Sequence, residues 1–153
     1  MHETEALHIR RLTAEDLEPL HRLLSDPAVM RYLEPPFTRA QTEAFLQKVG
    51  MGREPLIWAV EDGRGFAGYV IYHPYDETSM ELGWVLASDR WGRGYALALT
   101  RQMICRARES GRDAVIECHP QQAATRHIAE KLGFRPCGMD GGCCVYRLAG
   151  KNE

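Results

Sequence analysis

The stretch that decides the fold runs from residue 81 to residue 96 and reads ELGWVLASDRWGRGYA. Its first half belongs to a run, residues 80–87, in which large apolar side chains alternate with other residues, and this period of two predicts a strand. Its second half enters residues 94–110, where apolar side chains recur at helical spacing and predict a long helix that ends at Gly111. Because residues 113–118 form another apolar run, we expect a strand–helix–strand unit with a right-handed crossover.

The flanking sequence adds strands and helices on both sides of this unit. Helices are expected to start at the capping threonines Thr13 and Thr38, and two strands meet at the hairpin signal Asp62-Gly63-Arg64-Gly65. The predicted strands lie at 6–12, 56–61, 66–72, 80–87 and 113–118, and two more flank residues 140–142. The predicted helices run from 13 to the stop at 25–27, from 38 to 49, over 94–110 and over 122–132. The last of these helices has Ala124, Ile128 and Leu132 on one side. This order predicts a mixed α/β domain.

Bulk composition limits the classes of partner. The 153 residues suit one domain, and 19 basic against 21 acidic residues give a net charge of −2. Such a balance predicts neither nucleic-acid nor membrane binding. Arg90, Arg93 and Arg101 form a basic cluster of a size suited to one small anion. The polar, acidic N-terminus lacks the features of a signal peptide, so we expect a cytoplasmic protein.

The five cysteines predict neither a disulfide framework nor a metal site. An odd count without a secretory signal argues against disulfides. Cys137, Cys143 and Cys144 lie close in sequence but lack the C-x-x-C spacing and the histidine pair of a zinc site. We therefore expect buried or half-buried free thiols and no bound metal.

Two glycines at the predicted helix start suggest a site for a phosphate group. A helix N-terminus offers N–H groups without intrahelical partners and a partial positive charge, and Gly92 and Gly94 would let a pyrophosphate approach the backbone. The same glycines also fit a loop that only requires positive φ. A P-loop is excluded because no Gly-Lys-Ser/Thr is present. A dinucleotide fingerprint is weakened because Leu97 replaces its third glycine, although Glu117 stands near the distance of a ribose-binding acid.

Short motifs in a consistent order carry a resemblance to a known family. They occupy residues 81–86 and 91–96, residues 119–125 and 130–134, and, nearer the N-terminus, residues 12–16, 30–33 and 36–38. Together they resemble the GNAT superfamily of acetyltransferases, and in particular the branch that holds ribosomal-protein N-terminal acetyltransferases. The resemblance implies a single domain over residues 1–153, with a mixed, mostly antiparallel sheet of about seven strands flanked by about four helices.

The resemblance also implies an activity and a cofactor site. The chain would transfer an acetyl group from acetyl-CoA to a primary amine, on a protein N-terminus or a small molecule, as a monomer or homodimer. Backbone N–H groups of the loop would hold the pyrophosphate, Arg90 and Arg93 would add charge, and the strand end would pair with the pantetheine arm. The implied cofactor-binding residues are Trp84, Val85, Leu86, Arg90, Gly92, Arg93, Gly94, Tyr95, Ala96, Gln122 and Thr125, the last two standing where the family usually has Asn and Ser.

Amine acetylation requires a neutral amine, and a carboxylate is the usual base. Glu81 is the first candidate and Glu117 the second, while His119 is interpreted as structural. Ala129 occupies the position where many relatives carry a tyrosine that protonates the leaving thiolate, so that group is left unassigned. Two alternatives therefore stay open at this point, a non-catalytic acyl-CoA-binding module and a nucleotide-dependent oxidoreductase.

Overall fold

The computed structural model describes residues 6–150. The seven strands are β1 (His8–Arg10), β2 (Ile57–Asp62), β3 (Gly65–Asp76), β4 (Ser79–Leu86), β5 (Asp113–Cys118), β6 (Arg135–Asp140) and β7 (Cys143–Leu148). The helices are α1 (Leu17–Leu24), α2 (Pro27–Met30), α3 (Arg39–Phe45), α4 (Tyr95–Glu109) and α5 (Ala123–Lys131), with single 3-10 turns at Ala14–Asp16 and Ser88–Arg90 and a π-helical turn at Leu46–Gly50. None of these helices within residues 6–150 is long and apolar enough to cross a membrane.

The strands form one mixed sheet in the order β1-β2-β3-β4-β5-β7-β6. β4 and β5 run parallel, with residues 79–81 opposite residues 113–115. The pairs β1–β2, β2–β3, β5–β7 and β6–β7 are antiparallel. The expected mixed, mostly antiparallel sheet of seven strands is thereby confirmed, as is the parallel strand–helix–strand unit around α4.

The chain forms two compact units, of which the first extends to Ile71 and includes Trp84–Tyr95. Thr13 and Thr38 each build a capping box at the helix starts that the sequence predicted, a device worth about 1 kcal/mol per cap. In α1 the apolar stripe expected from helical spacing consists of Leu17, Leu20, Leu23 and Leu24, of which Leu17 is half-buried and the other three are buried. The core of this unit contains Leu12, Leu20, Leu23, Leu24, Met30, Leu46, Ile57, Ala59, Tyr69 and Val85.

A short helix after α1 was missed by the sequence analysis. Ser25-Asp26-Pro27 was expected to end the helical region, but Asp26 instead caps α2 and accepts a hydrogen bond from the Ala28 N–H at 2.9 Å. Pro27 then occupies the first helical position, where its missing N–H costs nothing. The same residues that stop one helix therefore start the next one.

Gly68 allows β3 to lie against β4, and its replacement by alanine should destabilise the protein. Gly68 has a φ of +147°, and a Cβ built there would lie 2.2 Å from the Val85 carbonyl oxygen and 2.9 Å from the Leu86 Cα. Because both neighbours are backbone atoms, we expect Gly68→Ala to lower the free energy of unfolding by about 3 kcal/mol, measured by urea denaturation. Gly65→Ala is the control, since Gly65 also has positive φ but a Cβ there meets nothing within 4 Å. Equal losses for the two variants would contradict this explanation.

The second compact unit comprises Tyr72–Gly83 and the chain from Ala96 onward. The face predicted for α4 consists of Ala96, Leu99, Met103 and Ala107, of which the last three are buried and Ala96 is half-buried. The predicted face of α5 is wrong in part, because Ala124 is exposed and the fully buried residue is Ala129. The helix thus packs through a position one residue along from the predicted stripe.

The cysteines are all free thiols, but their burial differs from the expectation. Cys118 is buried and Cys143 and Cys144 are half-buried, whereas Cys105 and Cys137 are exposed. Cys137 is exposed because β6, the last strand of the sheet, is exposed along its whole length. An edge strand that leaves its side chains to solvent cannot bury a thiol placed on it.

Candidate active site

The loop before α4, residues 91–94, has the open glycine backbone that the sequence predicted. Gly92 and Gly94 have φ values of +75° and +80°. Both are exposed, and a Cβ built on either one would meet nothing within 4 Å. Left-handed residues in a turn help to direct successive backbone N–H groups toward an anion. We call residues 91–94 the glycine loop.

Arg90, directly before the glycine loop, does not face solvent as a free cation. Its side chain is 9% exposed, with Nε 2.9 Å from Asp62 Oδ2 and Nη2 3.1 Å from Asp62 Oδ1. Its Nη1 also donates to Asp89 at 3.1 Å. The Arg90 guanidinium holds the pKa of Asp62 well below its usual range, against the opposing effect of burial. The positive charge of Arg90, predicted to contact a phosphate, is therefore already paired with two carboxylates. Arg93 in the loop, by contrast, is exposed.

The end of β4, residues 84–86, was predicted to bind the cofactor through its backbone. Val85 and Leu86 are buried, each 6% exposed, and Trp84 is half-buried. The Trp91 indole N–H donates to the Leu86 carbonyl oxygen at 3.0 Å, while half of the Trp91 side chain stays exposed. The indole thereby ties the glycine loop to the end of the preceding strand.

A cluster of ionisable side chains surrounds Glu81 in the second unit. Glu81 Oε1 lies 3.7 Å from His73 Nε2, and the Tyr75 hydroxyl donates to Glu117 Oε2 at 2.6 Å. Burial raises the pKa of Glu81, His73 opposes that rise, and the charge of Glu117 adds to it. The hydrogen bond to Glu117 is the main reason that the pKa of Tyr75 is raised to about 12. The two predicted carboxylates, Glu81 and Glu117, are therefore brought into one cluster.

His73, Tyr75 and Cys143 are members of this cluster that sequence reasoning missed. β3 was expected to end at Tyr72 but continues to Asp76, and in an extended strand His73 and Tyr75 lie on the same face because they are two residues apart. Recognition of the longer strand would have paired them with the acids. The Cys143 thiol has a raised pKa, first through burial and then through the charge of Glu117.

The turn before α5 is stabilised by its own side chains. The Gln122 Oε1 accepts a hydrogen bond from the His119 N–H at 2.8 Å, and His119 Nδ1 accepts one from the Gln121 N–H at 3.1 Å. This arrangement agrees with the structural interpretation of His119. Thr125 is half-buried in the first turn of α5. Ala129 is fully buried, and its methyl side chain supplies no proton donor.

Comparisons with known proteins agree with this architecture. A family model described as an acetyltransferase (GNAT) domain matches residues 6–135. YnaD of Bacillus subtilis (strain 168), an uncharacterized N-acetyltransferase, is 26% identical over 145 residues, covering 92% of this chain and 85% of YnaD. The crystal structure of a GNAT-family acetyltransferase from Bacillus anthracis superposes with a TM-score of 0.82 at 25% identity and covers 97% of each chain. Spermidine N-acetyltransferase from Vibrio cholerae, solved with CoA and spermine, shares the fold with a TM-score of 0.74 at 22% identity over 92% of each chain.

Proposed function

Because the chain belongs to the GNAT acetyltransferase family, we propose that it takes an acetyl group from acetyl-CoA and transfers it to the nitrogen of a primary amine. The observation that carries this proposal is the half-buried Glu81 carboxylate, whose pKa is raised within the cluster of His73, Tyr75 and Glu117. A carboxylate with a raised pKa is a better base than one in water. It matches a reaction in which the attacking amine must lose a proton.

The glycine loop fits the pyrophosphate of such a donor. Both glycines leave open space where side chains would otherwise stand, and the first turn of α4 adds N–H groups and a partial positive charge. We assign the backbone of residues 92–96 and the charge of Arg93 to the pyrophosphate, and the backbone of Trp84, Val85 and Leu86 to the pantetheine arm. Gln122 and Thr125 are assigned further polar contacts. Arg90 is withdrawn from the set because Asp62 and Asp89 already hold its guanidinium.

Glu81 acts in this proposal as the general base. When bound, acetyl-CoA supplies the thioester carbonyl that the amine attacks. Glu81 takes a proton from the amine, directly or through one water, and His73 stands next to it to stabilise the carboxylate or pass the proton on. His73 Nδ1 lies 2.9 Å from the Pro74 carbonyl oxygen, and a carbonyl oxygen can only accept, so Nδ1 carries a proton. With Nδ1 bonded to that carbonyl, Nε2 is the ring nitrogen that faces Glu81, 3.7 Å from its Oε1.

Tyr75 is not assigned to protonation of the leaving thiolate. A thiolate with a pKa near that of cysteine, about 8.5, is too weak a base to deprotonate a phenol whose pKa is about 12. Through its short hydrogen bond, Tyr75 instead positions the Glu117 carboxylate. In this proposal the thiolate recovers its proton from solvent, so neither Tyr75 nor a tyrosine at the position of Ala129 is required as an acid.

The acceptor is a primary amine of the α-amino or small-molecule class. An α-amine titrates near pH 8 and is partly neutral under physiological conditions, whereas a lysine amine titrates near pH 10.4 and needs more help from a base. The resemblance of the sequence motifs favours a protein N-terminus. The fold shared with a spermidine N-acetyltransferase adds polyamines to the candidates, and these alkylamines, like lysine, depend more on the base than an α-amine does.

Calorimetric titration with acetyl-CoA, with NAD as the matched control, tests the donor. We expect acetyl-CoA to bind and NAD not to bind. Release of free thiol is then followed with peptides of different N-terminal residues, spermidine, spermine and free amino acids. Binding without turnover on any amine would support a non-catalytic acyl-CoA-binding module, and binding of NAD alone would overturn the proposal.

A further inference from the structure

Asp62, at the end of β2, holds the two residues that flank the glycine loop. Its side chain is fully buried and accepts hydrogen bonds from Arg90 Nε at 2.9 Å, Arg90 Nη2 at 3.1 Å and the Tyr95 hydroxyl at 2.8 Å. It also accepts a bond from the Arg64 N–H at 2.8 Å. Arg90 directly precedes residues 91–94 and Tyr95 directly follows them. One carboxylate therefore anchors both ends of a four-residue loop.

A loop with two glycines needs such an anchor if it is to bind an anion well. Glycine loses more conformational freedom on ordering than any other residue, and ordering a loop at the moment of binding reduces affinity. Fixing residues 90 and 95 leaves the intervening backbone few conformations that connect them. The bidentate Arg90–Asp62 pair is buried, so solvent does not weaken it as it would a surface ion pair.

We propose that Asp62 is a positioning residue that preorganises the glycine loop for the pyrophosphate of the acyl donor. This inference rests on the proposed function. Asp62 does not touch the donor in this scheme; it acts through Arg90 and Tyr95. The role differs from that of Glu81, because preorganisation of the donor site changes the affinity for acetyl-CoA and not the proton transfer.

Asp16 supplies a matched control elsewhere in the same unit. It is also buried, 5% exposed, and accepts two bonds of 2.9 Å from Arg10 and one of 2.9 Å from the Thr13 N–H. Neither of these partners flanks the glycine loop. Asp16→Asn and Asp62→Asn thus each replace a buried, arginine-paired carboxylate with an amide, and both should lower the melting temperature.

The experiment measures Kd for acetyl-CoA by calorimetry and KM and kcat by thiol release in the full chain. We expect Asp62→Asn to raise Kd and KM for acetyl-CoA about 10-fold, the order of a lost charged hydrogen bond. The kcat at saturating acetyl-CoA and the KM for the amine should stay within about twofold, because the base and acceptor sites are untouched. Asp16→Asn should leave Kd unchanged.

Tyr95→Phe removes the single hydrogen bond that the Tyr95 hydroxyl donates to Asp62. This variant tests the positioning role of Asp62 if Asp62→Asn fails to fold. We expect its Kd for acetyl-CoA to rise about threefold, in line with one lost hydrogen bond. An unchanged Kd in both folded variants would overturn the inference. Tighter binding in Asp62→Asn would also overturn it, since it would show that Arg90 is a direct phosphate ligand restrained by Asp62. Failure of the wild-type protein to bind acetyl-CoA would instead overturn the proposed function and this inference with it.

Discussion

Replacement of Glu81 by glutamine is expected to lower kcat/KM for the amine by about 100-fold or more, the usual contribution of a positioned general base. Glutamine keeps the size of the side chain and a hydrogen-bonding oxygen but cannot take a proton. The Kd for acetyl-CoA should not change, because the glycine loop is untouched. Steady-state thiol release and calorimetry on the same preparation measure the two quantities.

The pH profile separates a base from a residue that only packs. Burial raises the Glu81 pKa above its ordinary value of 4.5, so the wild-type rate should climb as pH rises through that elevated pKa and climb again as the amine loses its own proton. In Glu81→Gln only the amine limb should remain. Glu117→Gln is the comparison within the cluster. It should lower kcat/KM less than Glu81→Gln does, because Glu117 already accepts a hydrogen bond from the Tyr75 hydroxyl. A larger loss in Glu117→Gln would exchange the roles of the two acids.

Stability should change in the opposite direction to activity. A folded-state pKa raised above the unfolded value means that the contribution of Glu81 to stability is present below the unfolded pKa and is lost as pH rises through the folded pKa. At neutral pH the buried Glu81 carboxylate therefore disfavours folding, and Glu81→Gln should raise the melting temperature there. The difference should disappear below pH 4.5. Such a trade of stability for function is typical of catalytic residues.

Local signals in the sequence were sufficient for most of the fold. The threonine caps, the hairpin turn at 62–65 and the glycine at the end of α4 act within a few residues, so their effects can be read without knowledge of distant contacts. The strand at 113–118 was predicted with its correct bounds. Errors arose where one residue serves two elements, as Asp26 does between α1 and α2, or where packing chose the buried face, as at Ala129.

The candidate site was less accessible to sequence reasoning because it depends on strand register. Glu81 and Glu117 were selected one at a time, and only the parallel register that sets Glu81 opposite Val115 places them near each other. The partners His73 and Tyr75 depend on the extra length of β3. Arg90 shows the same dependence on distant contacts, since a basic residue beside a glycine loop suggests a phosphate ligand, and only the structure reveals its buried partner Asp62.

Gly94→Ala is expected to weaken acetyl-CoA binding by about 10-fold or more, because a Cβ would enter the space that a pyrophosphate needs at the helix N-terminus. Alanine at a φ of +80° also strains the backbone by about 1 kcal/mol, so lost stability must be separated from lost binding. Gly111→Ala is the matched control at the other end of α4, with a φ of +68° and equally open surroundings.

The two alanine variants should lose similar amounts of stability and differ only in affinity. Gly111 ends the helix, where no N–H groups are free to receive an anion, so its replacement should leave the Kd for acetyl-CoA unchanged. Chemical denaturation and calorimetry on both variants provide the comparison. If Gly94→Ala bound acetyl-CoA as tightly as Gly111→Ala, positive φ alone would explain the glycine, and the pyrophosphate would have to be placed away from the N-terminus of α4.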